Sequence, residues 1–106
     1  MSTEGRPTVL EDVETDTRLA PLWHVILHDD DEHTYDYVIV MLRQLFGKTL
    51  EAAIAHAIEV DTTGVTIVDT TTLERAELKR DQIRAFGPHP RLGRSRGSMA
   101  ATIEKA

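Results

Sequence analysis

A chain of 106 residues holds one domain with one modest core, burying somewhat under about two-thirds of the surface that the unfolded form exposes. Its 18 acids and 12 bases leave a formal charge of −6, which opposes general nucleic-acid binding, because such binders gain affinity by neutralising phosphates. There is no cysteine, hence no disulfide framework or thiolate chemistry, and with no signal-peptide stretch or membrane-length apolar run the expectation is a cytoplasmic domain without a membrane partner.

Residues 1–21 carry Glu4, Glu11, Asp12, Glu14 and Asp16 without a sustained apolar period, the composition of a disordered acidic arm ahead of a core domain over 22–106. "LWHVIL" after Pro21 is a short apolar, β-branched run, and it predicts a strand. Val38, Met41, Leu42 and Leu45 then fall at i, i+3, i+4 and i+7, one face of a helix that Gly47 is placed to end. Thr49 can cap a second helix whose Leu50, Ile54, Ala57 and Ile58 share a side, running to about Val60, with "DTTG" as the turn after it. "VTIV" predicts a second strand. Thr71 and Glu74 have the spacing of a capping box opening a third helix that buries Leu73, Ala76, Ile83 and Phe86, and Gly87 and Pro88 stop it. "GPHPRLGRSRG" is a loop with Arg91, Arg94 and Arg96, and "SMAATIEKA" a weak final strand. The order β-α-α-β-α-β, with strands too few for an open parallel sheet, predicts an α+β fold: three helices on one face of a small three-stranded antiparallel sheet.

The feature that asks for a chemical explanation is "HDDDEH", four consecutive acids from Asp29 to Glu32 just before the first helix. One reading is complementation of the helix dipole, each carboxylate gaining about 0.3–1 kcal/mol. One or two acids suffice for that, so a cation site stands beside it. His28 and His33 flank the acids as metal sites would have them, yet no EF-hand spacing, no His-Glu-x-x-His and no helical His pair at i and i+4 is present, and neither a metal nor another cofactor is expected. His24 and His28 alternate with strand apolar residues, His56 lies mid-helix and His89 in a loop, positions that suit structural or solvent-facing roles. With no nucleophile elbow and no phosphate loop, an enzyme is not expected. The other cation to consider is ammonium: carboxylates beside an apolar pocket suit the free N-terminus of a peptide.

From Trp23 to Ala106 the chain resembles ClpS, the adaptor family that recognises N-degrons and hands them to the ClpA or ClpC unfoldase of the Clp protease. "VILHDDDEHTYDYV" is similar to the family's strand, Asn-Asp-Asp signature and first helix, "TLERAELK" to its third helix, and "TIEKA" to its C-terminal strand. The resemblance implies roles for single residues. Asp29 stands where the family has Asn, and Asp30 matches the Asp that accepts from the α-amino group. Against the family's Val-His-Tyr-x-Gly, "VDTTG" sets Asp61 in place of the His and Gly64 in place of the Gly. Asp29, Asp30 and Asp61 would therefore take the α-ammonium. Leu27, Asp31, Tyr35, Val38, Ala57, Val60 and Met99 would form the side-chain pocket, with Tyr35 and Ala57 replacing Met and Met99 replacing the usual Leu. Glu74 and Lys79 would face the N-terminal domain of a ClpA/ClpC-type AAA+ unfoldase. The function implied is that of a monomeric adaptor which binds N-degron peptides and proteins with a large hydrophobic first residue and delivers them for proteolysis. The rival is a divergent regulator that docks on the unfoldase without binding degrons.

Overall fold

The computed structural model describes residues 20–30, 32–88 and 99–106. Nearly all of the expected acidic arm, Asp31, His89 and the loop with Arg91, Arg94 and Arg96 lie outside the described residues. Six elements follow in the expected order: β1 (Trp23–His28), α1 (Tyr35–Phe46), α2 (Leu50–Thr63), β2 (Val65–Thr71), α3 (Leu73–Ala85) and β3 (Ala101–Lys105).

The most apolar strand takes the middle of the sheet. β1 pairs antiparallel with β2 on one side and β3 on the other, giving the order β2-β1-β3. Its side chains alternate, so Val25 and Leu27 are wholly buried while His24, Ile26 and His28 are half-buried on the opposite face. There His24 Nδ1 shares a 2.8 Å hydrogen bond with Thr70 Oγ1, and His28 Nε2 a 2.8 Å bond with Thr102 Oγ1, which ties each histidine to a neighbouring strand. Val25 lies opposite Asp69 and Ile26 opposite Ile67, leaving Val68 as the extra residue of a bulge with its side chain in the core.

Each helix opens on a threonine: the side chains of Thr34, Thr49 and Thr72 accept from the amides of Tyr37, Ala52 and Arg75. The third of these corrects the expected capping box, because Thr71 is the last residue of β2 and the cap is Thr72. The residue at the box's acidic position is then Arg75, so no reciprocal box forms. The second correction concerns α2. It runs on through the expected turn to Thr63, and Thr62 and Thr63 hydroxyls donate back to the carbonyls of Ile58 and Glu59. Of the expected side only Ala57 is buried, and it lies with Ala53 and Val60, whereas Leu50, Ile54 and Ile58 are exposed. Both sets have helical spacing, and the small one wins because alanines let the helix lie close to its neighbours. In α3, Ala76 and Ile83 are buried, Phe86 packs on the core, and Leu73 at the first turn is 40% exposed against expectation.

α3 packs across β1 and β3, α2 against β2, and α1 against α2. The shared core joins Val25 and Leu27 to Val38, Met41 and Leu42 of α1 and to the small face of α2. α2 is also pinned to β2 by a polar relay at Thr66, 2% exposed, whose hydroxyl donates to the Glu59 carboxylate while His56 Nδ1 lies 2.8 Å from it. Burial lowers the pKa of His56, and nearby Lys48 adds to that against the opposing charge of Glu59.

Candidate functional site

The site is assembled where β1 ends, α1 begins and α2 ends. Asp29, the first residue after β1, donates its backbone N–H to the Gly64 carbonyl at 2.9 Å, and Gly64 N–H donates to Val60 at 3.0 Å. Gly64 sits at φ 92°, and a Cβ there would meet no atom, so glycine answers the left-handed backbone rather than a lack of space. On the other side His28 N–H donates to the Ala100 carbonyl at 3.0 Å. The end of β1 is thus stitched to the cap of α2 and to the approach to β3. This stitching brings Asp29 to the same end of the domain as Asp61, in the last turn of α2.

Both carboxylates are exposed, and both act on Tyr35. Its phenol donates to Asp61 Oδ2 at 2.8 Å, joining the start of α1 to the end of α2. That hydrogen bond, with partial desolvation and the charges of Asp61 and Asp29, raises the pKa of the phenol. The ring remains 47% exposed.

Asp30 is differently placed. Its Oδ1 accepts from the amides of Glu32 at 2.9 Å and His33 at 3.0 Å, and His33 Nδ1 lies 2.8 Å from both carboxylate oxygens. Burial raises the Asp30 pKa, but the His33 ring, the two amides and the charge of His33 together outweigh it and hold the carboxyl below its ordinary value. The His33 side chain is only 4% exposed, and its ring lies 4.3 Å from that of Tyr37. Tyr37 in turn donates to the Gly87 carbonyl at 2.6 Å and meets Phe86 edge-on, linking the acid turn to the end of α3. Burial and the Asp30 charge raise the pKa of Tyr37.

Leu27, Val38, Ala57, Val60 and Met99, from four separate stretches of chain, lie together in the buried core, none more than 3% exposed. Asp31 lies outside the described residues. Tyr35 therefore differs from the other described pocket residues in being open to solvent. A groove lined by Val40, Arg43, Gln44, Gly47 and Lys48 lies along the C-terminal half of α1, away from Tyr35 at its start. Among the described residues no group of three or more His, Cys, Asp or Glu side chains could hold a metal ion, and no helix is long and apolar enough to cross a membrane.

The two expected docking residues part company. Glu74 is exposed in the first turn of α3, whereas Lys79 is half-buried, donates to the Leu45 carbonyl and lies over the Phe46 ring at 5.3 Å. Lys79 thereby supplies a cation to the C-terminal end of α1, where the helix dipole favours one. Lys79→Glu should lower stability by about 1–2 kcal/mol, since it exchanges that cation for a carboxylate facing unpaired carbonyls. A denaturant midpoint equal to that of the unchanged protein would refute this role.

Two contacts escape a reading of spacing: the His33 ring on Asp30 and the Tyr35 bond to Asp61. The first has a local signal, an Asp three residues before a His and four before a Thr cap. The second joins residues 26 positions apart and has none.

Fold and site define a small α+β domain with an acidic rim at one end of its central strand and an apolar core directly behind it. The family model described as "ATP-dependent Clp protease adaptor protein ClpS" matches residues 18–90, and the chain belongs to this family. It is 38% identical over 73 residues to the Clp protease adapter protein ClpS of Nitratidesulfovibrio vulgaris (strain DP4), covering 69% of this chain and 70% of that one. It is 37% identical over 82 residues to ClpS of Deinococcus radiodurans, covering 77% and 71%. Among solved structures, Agrobacterium tumefaciens ClpS2 bound to L-phenylalaninamide superposes with a TM-score of 0.70 at 21% identity, over 81% of this chain and 98% of that one, a likeness of fold.

Proposed function

We propose that this chain is an adaptor which binds the free N-terminus of N-degron substrates with a large hydrophobic first residue and delivers them to a ClpA/ClpC-type AAA+ unfoldase. The observation that carries the reading is that Asp29, just after β1, and Asp61, in the last turn of α2, both act on Tyr35 at an end of the domain whose core contains Leu27, Ala57 and Val60. Carboxylates on the rim match an α-ammonium with charge-assisted hydrogen bonds, and the apolar residues behind match a first side chain. Asp30, committed to its own turn, retains acceptor capacity for one further donor, since a carboxylate offers about four lone-pair sites. The ClpS2 relative holds a phenylalanine amide, a free amine on an aromatic residue, which is the ligand chemistry this rim suits.

The test is a panel of fluorescent peptides differing only in residue one, titrated against the protein and then supplied with a Clp unfoldase and protease. Phe- and Leu-first peptides should bind and be degraded faster with the protein present. If none binds while the protein still docks on the unfoldase, the chain is a regulator rather than a degron adaptor. Glu74→Lys should weaken docking about threefold to tenfold and leave peptide affinity unchanged, because exposed charges contribute up to about 1 kcal/mol or a little more. Docking that survives the reversal would move the interface off the first turn of α3.

A further inference from the structure

The position of Tyr35 carries a consequence for how the site opens. Its backbone belongs to the first turn of α1 and Asp61 to the last turn of α2, so the 2.8 Å bond between them runs from one side of the proposed pocket to the other. The expected lining on either side of that bond, Val38 three residues after Tyr35 and Val60 just before Asp61, is 2–3% exposed. A first side chain that is to reach these residues must enter between the two helix ends that this bond joins. The same bond occupies an acceptor site of Asp61.

We propose that Tyr35 is a latch: its hydroxyl, held by Asp61, keeps the side-chain pocket shut until a peptide with a large first residue displaces it. The inference rests on the adaptor reading and adds to it the Tyr35–Asp61 hydrogen bond as the device that closes the pocket. A large first side chain pushes the ring aside and the freed phenol finds water because the residue is already half exposed, while Asp61 keeps acceptor sites for the α-ammonium whether or not the phenol is in place. Breaking the latch subtracts from the affinity of every peptide that must enter the pocket. A peptide beginning with Ala needs only the rim and is spared that cost. Tyr35 carries no other hydrogen bond to hold its hydroxyl in place among those the structure shows, so the ring's position depends on Asp61.

Tyr35→Phe tests this by removing the hydroxyl and keeping the ring. A fluorescein-labelled Phe-first pentapeptide should bind the variant about twofold to tenfold more tightly, the factor that one net hydrogen bond represents. An Ala-first peptide should bind both proteins equally. In the unchanged protein, the Tyr35 Cζ resonance should move on saturation with the Phe-first peptide toward its position in Asp61→Ala. If Tyr35→Phe binds the Phe-first peptide equally or more weakly, or if the Tyr35 resonance stays fixed on saturation, the latch is overturned while the adaptor reading stands. If neither protein binds any free-amine peptide, both fall together.

Discussion

Acetylating the N-terminus of a Phe-first peptide should lower its affinity for this protein by about a hundredfold or more. The modification removes the only positive charge that the peptide end offers to Asp29 and Asp61, and it also costs two of the three donors of the ammonium. Truncating one partner of a hydrogen-bonded charge pair buried at an interface typically costs about 2–5 kcal/mol, and the two exposed carboxylates become such partners once the peptide covers them; about 2.7 kcal/mol is a hundredfold. Most of that is the price of leaving desolvated acceptors unpaired beneath the peptide, so the loss should persist when the first side chain is the best available. The measurement is fluorescence anisotropy of matched free and acetylated peptides at fixed ionic strength, because salt screens exposed carboxylates. Equal affinities would mean that the acidic rim does not read the amine. Affinity that rises on acetylation would point instead to apolar capture without an ion pair.

How much of this could be read from residues alone divides along a physical line. Patterns that repeat within one element were legible: the apolar run "LWHVIL" marked the strand, and the i, i+3, i+4 rows of α1 placed Val38, Met41 and Leu42 in the core. Where two faces of a helix are both apolar, periodicity has no preference. α2 shows this, because the expected side was Leu50, Ile54, Ala57 and Ile58, and of these only Ala57 is buried, together with Ala53 and Val60. The same holds for caps, since Thr70, Thr71 and Thr72 are consecutive and the strand's hydrogen bonds decide which of them is free to start α3. For the site, the resemblance to ClpS named Asp29, Asp30 and Asp61 alike. Their geometry separates them, because Asp29 and Asp61 are held on the rim by the Gly64 turn while Asp30 closes its own loop. Lys79 was legible as a motif residue but not as a cap, since its acceptor at Leu45 lies 34 positions away.

That division leads to the second large effect, which falls on Asp30. Asp30→Ala removes the acceptor for the amides of Glu32 and His33 and for the His33 ring, and the ring is almost completely buried. Hydrogen bonds to a charged group contribute about 1.5–3 kcal/mol each, so losing this set should cost at least that much. The protein should therefore unfold at a clearly lower denaturant concentration. His33→Ala should be milder than Asp30→Ala, because it removes the ring and leaves both amides bonded to Asp30. The pH dependence follows from the lowered Asp30 pKa. In the unfolded chain this carboxyl takes a proton near its ordinary value of about 3.9, and the folded protein resists protonation until the pH is lower still. The stabilisation from Asp30 is thus fully present above about pH 5 and lost as the pH falls through the folded pKa, so the unchanged protein and Asp30→Ala should differ most at neutral pH and converge in acid. Peptide affinity, measured at a pH where both are folded, should fall for Asp30→Ala by about tenfold or more, since the turn that sets Asp29 against Gly64 loses its closing bonds. Denaturant unfolding of both proteins from pH 7 to pH 3 checks the whole chain of reasoning. A stability difference that stays constant across that range would show that the carboxylate charge of Asp30 contributes nothing, and an Asp30→Ala protein of unchanged midpoint would show that the His33 ring is satisfied from elsewhere.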